Sequence, residues 1–178
     1  MGRTMPASLS NFDFSDFWSH GEYANSLSEA PPSQELIAEL EKELGYRIPP
    51  TYIELCRNQN GGLPRKCYHD APHATSYCEE SYIEVAEIYA IGRTAMWALG
   101  REGCDTAFWV NECEYPPLGI YFANSPNQGH QVLALDYREC GPKGEPSVVF
   151  VDEIENYRIV PLATDFATFI RGLRSEVE

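Results

Sequence analysis

The chain has 178 residues, 43% of them apolar and 22% charged, and 13 Lys and Arg against 27 Asp and Glu give a formal net charge of −14. A body of this size buries roughly 70% of its unfolded-chain surface without staples or metals, so disorder of the whole chain is excluded. The acidity repels phosphate backbones and anionic lipid headgroups, which argues against nucleic-acid and membrane-surface roles and makes any charge-selected partner basic.

The start, Met1-Gly2-Arg3-Thr4-Met5-Pro6, has no apolar core of a secretory signal, and Pro6 stands where a myristoylation motif wants Ser or Thr. No run approaches the roughly 20 apolar residues of a membrane span, Ala95 to Leu99 being the longest clean one. A cytoplasmic protein is expected, with its six cysteines (Cys56, Cys67, Cys78, Cys104, Cys113, Cys140) as free thiols.

Residues 1–32 form an aromatic-rich extension in which Phe12, Phe14, Phe17 and Trp18 are expected to dock on the body, because each ring buries on the order of 150–250 Å². A single domain is expected over 33–178. Ser33 offers a helix cap, Leu36, Ile37, Leu40 and Leu44 recur at helical spacing, and Gly45 closes the helix. Pro49-Pro50 opens a second helix with Tyr52, Ile53, Leu55 and Cys56 on its apolar face, and Asn60-Gly61-Gly62 is read as its C-cap and turn.

Ser81 to Ile91 reads as a strand, whereas 93–115 is ambiguous between a short helix and irregular structure. Leu118–Ala123, Gln131–Tyr137 and Ser147–Asp152 are strands separated by turn clusters, which makes consecutive antiparallel pairing the simplest topology. Val132, Ala134 and Asp136 then share one face, and Leu133, Leu135 and Tyr137 the other. Phe166, Phe169, Ile170 and Leu173 make a closing helix with Thr164 as cap. Helices, a meander and a last helix define an α+β class.

Several of these segments carry a family resemblance. Leu40-Glu41-Lys42-Glu43-Leu44-Gly45, Ile48-Pro49-Pro50 and Asn60-Gly61-Gly62 come first, followed by Pro117-Leu118-Gly119-Ile120-Tyr121-Phe122-Ala123, Leu135-Asp136-Tyr137, Gly144-Glu145-Pro146-Ser147-Val148 and Phe166-Ala167-Thr168-Phe169-Ile170. This ordered set resembles the SUKH superfamily, which includes the fungal Smi/Knr cell-wall-synthesis regulators, over about residues 33–174. The resemblance implies helices packed on a curved antiparallel sheet, no enzymatic activity, and, in bacterial members, immunity proteins that bind and neutralise toxins. The stretch Leu63 to Glu80 and the aromatic N-terminus look like elaborations on that core.

Within that stretch, Cys67, His69, His73 and Cys78 are four donors of the kind zinc takes. The two cysteines flank the histidines instead of forming a C-x2–4-C knuckle, so no metal and no cofactor is expected. His69-Asp70 lacks a nucleophile on a G-x-S-x-G elbow, and Asn60-Gly61-Gly62 lacks the Lys-Ser/Thr of a phosphate loop, so no catalytic residue is assigned. Asp136 on an apolar strand is either satisfied internally, by a turn amide or an arginine such as Arg138 or Arg158, or offered to a partner.

Between Lys66 and Arg138 the only bases are Arg93 and Arg101, against Asp70, Glu79, Glu80, Glu84, Glu87, Glu102, Asp105, Glu112, Glu114 and Asp136. Aromatic residues lie among these acids, and Tyr and Trp are enriched in binding hot spots. Glu79, Glu80, Trp109, Glu112, Glu114, Tyr115 and Asp136 are therefore the expected contact residues for a basic protein, with a cognate toxin domain, of which a nuclease is the natural example, as the leading candidate. The alternative is a regulatory or scaffold module like the fungal relatives.

Overall fold

The computed structural model describes residues 8–71, 81–127 and 130–175. A short helix α1 (Glu22–Ser26) follows the aromatic segment, and α2 (Gln34–Leu44) and α3 (Pro50–Asn58) form the helix pair. The Ser33 side chain accepts from the Leu36 N–H, and Gly45 closes α2 in the left-handed conformation. α3 ends differently from the expectation: its cap is Gln59 in extended backbone, so Asn60-Gly61-Gly62 lies beyond the helix and has another role.

Strands β1 (Tyr68–Asp70) and β2 (Tyr82–Glu84) pair antiparallel, with His69 opposite Ile83. The expected strand 81–91 is split. After β2 the chain bends, and residues 86–89 instead cover the outer edge of β3 (Gly119–Asn124), Tyr89 N–H donating to Phe122 O and Asn124 N–H to Glu87 O. In the ambiguous stretch, Asp105 caps α4 (Thr106–Asn111) by accepting from Phe108 N–H at 3.0 Å.

The main sheet runs β3-β4-β5-β6 in sequence order, all antiparallel, with β4 Gln131–Asp136, β5 Ser147–Asp152 and β6 Arg158–Ala163. One face (Ile120, Phe122, Leu133, Leu135, Val148, Phe150, Val160) packs on Ile37 and Leu40 of α2, Tyr52 and Leu55 of α3, and the last helix, α5 (Phe166–Gly172). The stripe Phe166, Phe169, Ile170 and Leu173 is buried as expected, but the α5 cap is Asp165, which accepts from Thr168 N–H at 2.8 Å, and not Thr164. The opposite face (Tyr121, Val132, Ala134, Val149, Val151) is covered by Trp109, Tyr115 and Leu118. Burial on both faces explains why β4 reads as a nearly continuous apolar run.

The N-terminal aromatics belong to the first core: Phe17 and Trp18 are buried, Phe12 and Phe14 pack against it, and Trp18 Nε1–H donates to Asn58 Oδ1 at 3.1 Å. Arg171 of α5 donates to Ser8 O at 2.6 Å, and its guanidinium stands 5.8 Å from the Phe12 ring centre.

Candidate interaction surface

Among the described residues, several acids of the middle of the chain are engaged within the fold. Asp70 pairs with Arg174, and Asp105 caps α4. Glu87 is buried, accepting from Tyr23 Oη–H at 2.5 Å and Asn124 Nδ2–H at 3.2 Å. Among the described residues Glu84, Glu102, Glu112 and Glu114 are exposed, whereas Glu79 and Glu80 lie outside the described residues.

Trp109 and Tyr115, expected as contact residues, are 2% and 1% exposed. They are core side chains because the second face of the sheet needs a cover, and Tyr115 meets Trp109, Tyr121 and Tyr157 edge-on at 5.1–5.5 Å. They flank the turn that carries Glu112 and Glu114, across which Tyr115 N–H donates to Trp109 O at 3.0 Å. Glu114 has φ 62, Asn156 and Tyr157 have φ 57 and 59, and Tyr157 Oη–H ties the two segments by donating to Cys113 O at 2.7 Å.

Asp136 faces an open groove. α4 and its following loop leave part of the second sheet face uncovered, and the resulting groove of about 440 Å³ has Val149, Ile159 and Pro161 on its floor. Asp136, Arg138, Glu139 and Glu145 are its charged walls, with Ser147 and Thr164 between them. The internal reading of Asp136 is met, because Arg138 holds it through Nη2–H to Oδ2 at 2.7 Å, Nε–H to Oδ1 at 3.0 Å and backbone N–H to Oδ1 at 3.0 Å. Burial by itself raises the Asp136 carboxyl, but the Arg138 hydrogen bonds and charge outweigh it and hold the group below the usual carboxylate range. Partial burial, then the Asp165 charge, push Glu145 upward despite Arg47.

A carboxyl with a depressed native pKa adds stability above its unfolded value, and that stability is lost as pH falls through the native value. Asp136→Asn is therefore expected to cost about 1–2 kcal/mol near neutral pH. The variant should also lose less stability than wild type between about pH 5 and pH 2. Urea unfolding at several pH values checks this, and parallel pH curves would contradict it.

A smaller cleft of about 260 Å³ lies between the end of α2 and α4, lined by Leu44, Tyr46, Leu99 and Val110 with Glu43 and Asp105 at its sides. Of the four zinc-type donors, Cys67 and His69 lie among the described residues. His69 is buried, stacked on Phe169 at 5.1 Å, with burial lowering its pKa, and its Nδ1 lies 2.8 Å from Asp70 O; Cys67 faces Glu84. His73 and Cys78 lie outside the described residues, and among the described ones no three His, Cys, Asp or Glu side chains gather as metal ligands. Cys56 is fully buried, its thiol pushed up to about 12, mainly by burial.

Sequence reasoning found Asp136 and named Arg138 as a candidate partner for it, but missed Glu139 and Glu145 as its neighbours in the groove. The available signal was the hairpin: these residues close β4 and open β5, so pairing Asp136 with Ser147 brings them together. It also missed Asn60. This side chain, 1% exposed, accepts from Ile91 N–H at 2.7 Å and donates to Ile91 O and Ala30 O at 2.9 Å each. Gly61, at φ 89, passes so close to Leu27 O that a Cβ would stand 2.4 Å from it.

Among the described residues no helix is long and apolar enough to cross a membrane. No curated protein and no solved structure matches the chain. The sequence profile of the SMI1 / KNR4 family (SUKH-1) matches residues 31–172, which hold the helix pair, the four-stranded meander, α5 and the groove, and the chain belongs to that family.

Proposed function

We propose that this chain is a non-enzymatic protein-binding domain, an immunity protein that neutralises a basic toxin domain in the cytoplasm by direct contact. The observation that carries the reading is the groove: an open apolar floor on the sheet, walled by Asp136, Glu139 and Glu145 against one cation, Arg138, that is already engaged. An apolar floor supplies affinity and an acidic wall selects and speeds capture of a cationic surface, such as the substrate groove of a nuclease. Family membership supports the same class of activity.

Co-expression with the toxin-domain product of a neighbouring gene is expected to restore growth, and the two proteins to co-purify. Glu139→Lys with Glu145→Lys should weaken that complex about 10–100-fold. Loss on Glu112→Lys with Glu114→Lys alone would instead place the contact at the turn after α4. Absence of protection from every neighbouring toxin domain would sink the immunity reading. The second reading, a regulatory or scaffold module, is favoured by one feature: the aromatic segment before residue 31 lies outside the matched range yet shares the core. An isolated gene with no toxin neighbour would support it.

A further inference from the structure

The two bases of the acid-rich stretch, Arg93 and Arg101, lie on one loop, and that loop grips a carboxylate. Three successive backbone N–H groups converge on the Glu29 side chain: Arg93 to Oε1 at 3.3 Å, and Thr94 and Ala95 to Oε2 at 3.0 and 2.8 Å. Gly92 makes room, because a Cβ there would stand 1.8 Å from Oε1. Successive N–H groups turned inward in this way form a nest, a concavity that favours negative charge.

The loop also has hydrogen bonds that do not involve Glu29. Gly100 N–H donates to Gly92 O and Leu99 N–H to Ala90 O, both at 2.9 Å, which closes the loop on itself. Arg101 Nη1–H donates to Ala95 O at 2.9 Å and holds that carbonyl away from the carboxylate. Arg93 is held from outside by Glu43, at 2.6 Å. The nest is thus braced by bonds of its own and flanked by Arg93 and Arg101, and it lies inside the family-matched range, whereas Glu29 lies just before it.

We propose that the loop Gly92–Ala95 is a carboxylate-binding site of the domain, filled in cis by Glu29. The ligand class is a carboxylate held by three amides, and the filled site is the latch that sets where the N-terminal segment joins the domain. Next to it, Glu29 N–H donates to Asn60 O at 3.1 Å and Asn60 Nδ2–H to Ala30 O, so the latch and the Asn60 contacts fix the same crossing point. A tethered carboxylate outcompetes free ones through its high local concentration, and removing it vacates the nest. This inference stands apart from the identity of any toxin partner.

The test uses the full chain, with backbone amide resonances of Arg93, Thr94 and Ala95 as readout and sodium acetate and inorganic phosphate as probes. In Glu29→Ala, acetate is expected to move the three resonances along a saturating curve, while wild type stays still. Silence in the variant, equal movement in both proteins, or a response to phosphate alone would overturn the assignment. Should Glu29→Ala not fold, Glu29→Gln keeps the shape and removes the charge. Hydrogen exchange at Thr94 and Ala95 should then run about tenfold faster than in wild type, and unchanged exchange would equally overturn the assignment.

Discussion

Replacing Asn60 with alanine is expected to destabilise the protein by about 3 kcal/mol, because one side chain makes three hydrogen bonds to the backbone, two of them to buried Ile91. The Ile91 N–H loses its acceptor, and the Ile91 and Ala30 carbonyls lose a donor. Such a loss corresponds to a fall in thermal midpoint of about 6–12 °C for a chain of this size. Asn60→Asp should do no better: it keeps the acceptor for Ile91 N–H but turns a carboxylate oxygen toward two carbonyls, in a site from which water is excluded. Thermal denaturation followed by circular dichroism decides the matter, and a midpoint within a degree of wild type would mean that the Asn60 bonds are dispensable.

Trp109→Ala is expected to cost about 3–5 kcal/mol, the range for removing a large aromatic from a packed interior. Trp109 is a principal cover of the second sheet face and the neighbour against which Tyr115 packs. The same substitution separates two roles that the sequence could not. An aromatic anchor on the surface leaves stability unchanged and weakens binding when truncated, whereas a core residue does the reverse until the fold itself fails. Urea unfolding should show a lowered midpoint, and an unchanged midpoint would return Trp109 to the contact surface.

Helix α2 was legible because every local signal agreed: Ser33 caps it, the apolar stripe has the helical period, and Gly45 ends it. β3, β4 and β5 were legible from apolar runs between turn clusters, and the alternation of β4 was recovered on both faces. β6 was not, because Pro161 interrupts its pattern and only Val160 among its residues is buried. The Asn60-Gly61-Gly62 turn was misread for a physical reason: a glycine pair after a helix looks the same whether it caps that helix or makes space for another segment, and here Leu27 and Trp18 occupy the space.

At the candidate site, Asp136 stood out because an acid on an apolar strand demands an explanation, and the structure supplies Arg138. The burial of Trp109 and Tyr115 was beyond reach of the sequence. Aromatics among acids look alike at a binding face and over a sheet whose second side needs covering, and only the tertiary pairing of β3 to β6 reveals that need.

The contact of Arg171 with Ser8 and Phe12 joins positions 163 residues apart in sequence. Loops of such length close late, since the entropy of bringing their ends together is offset only when the intervening core exists. During synthesis the aromatic segment emerges before α5, so Phe12 lacks its Arg171 neighbour until α5 has left the ribosome. The docking of this segment is thus completed by the other end of the fold, and until then the Phe12 ring is apolar surface without its final cover.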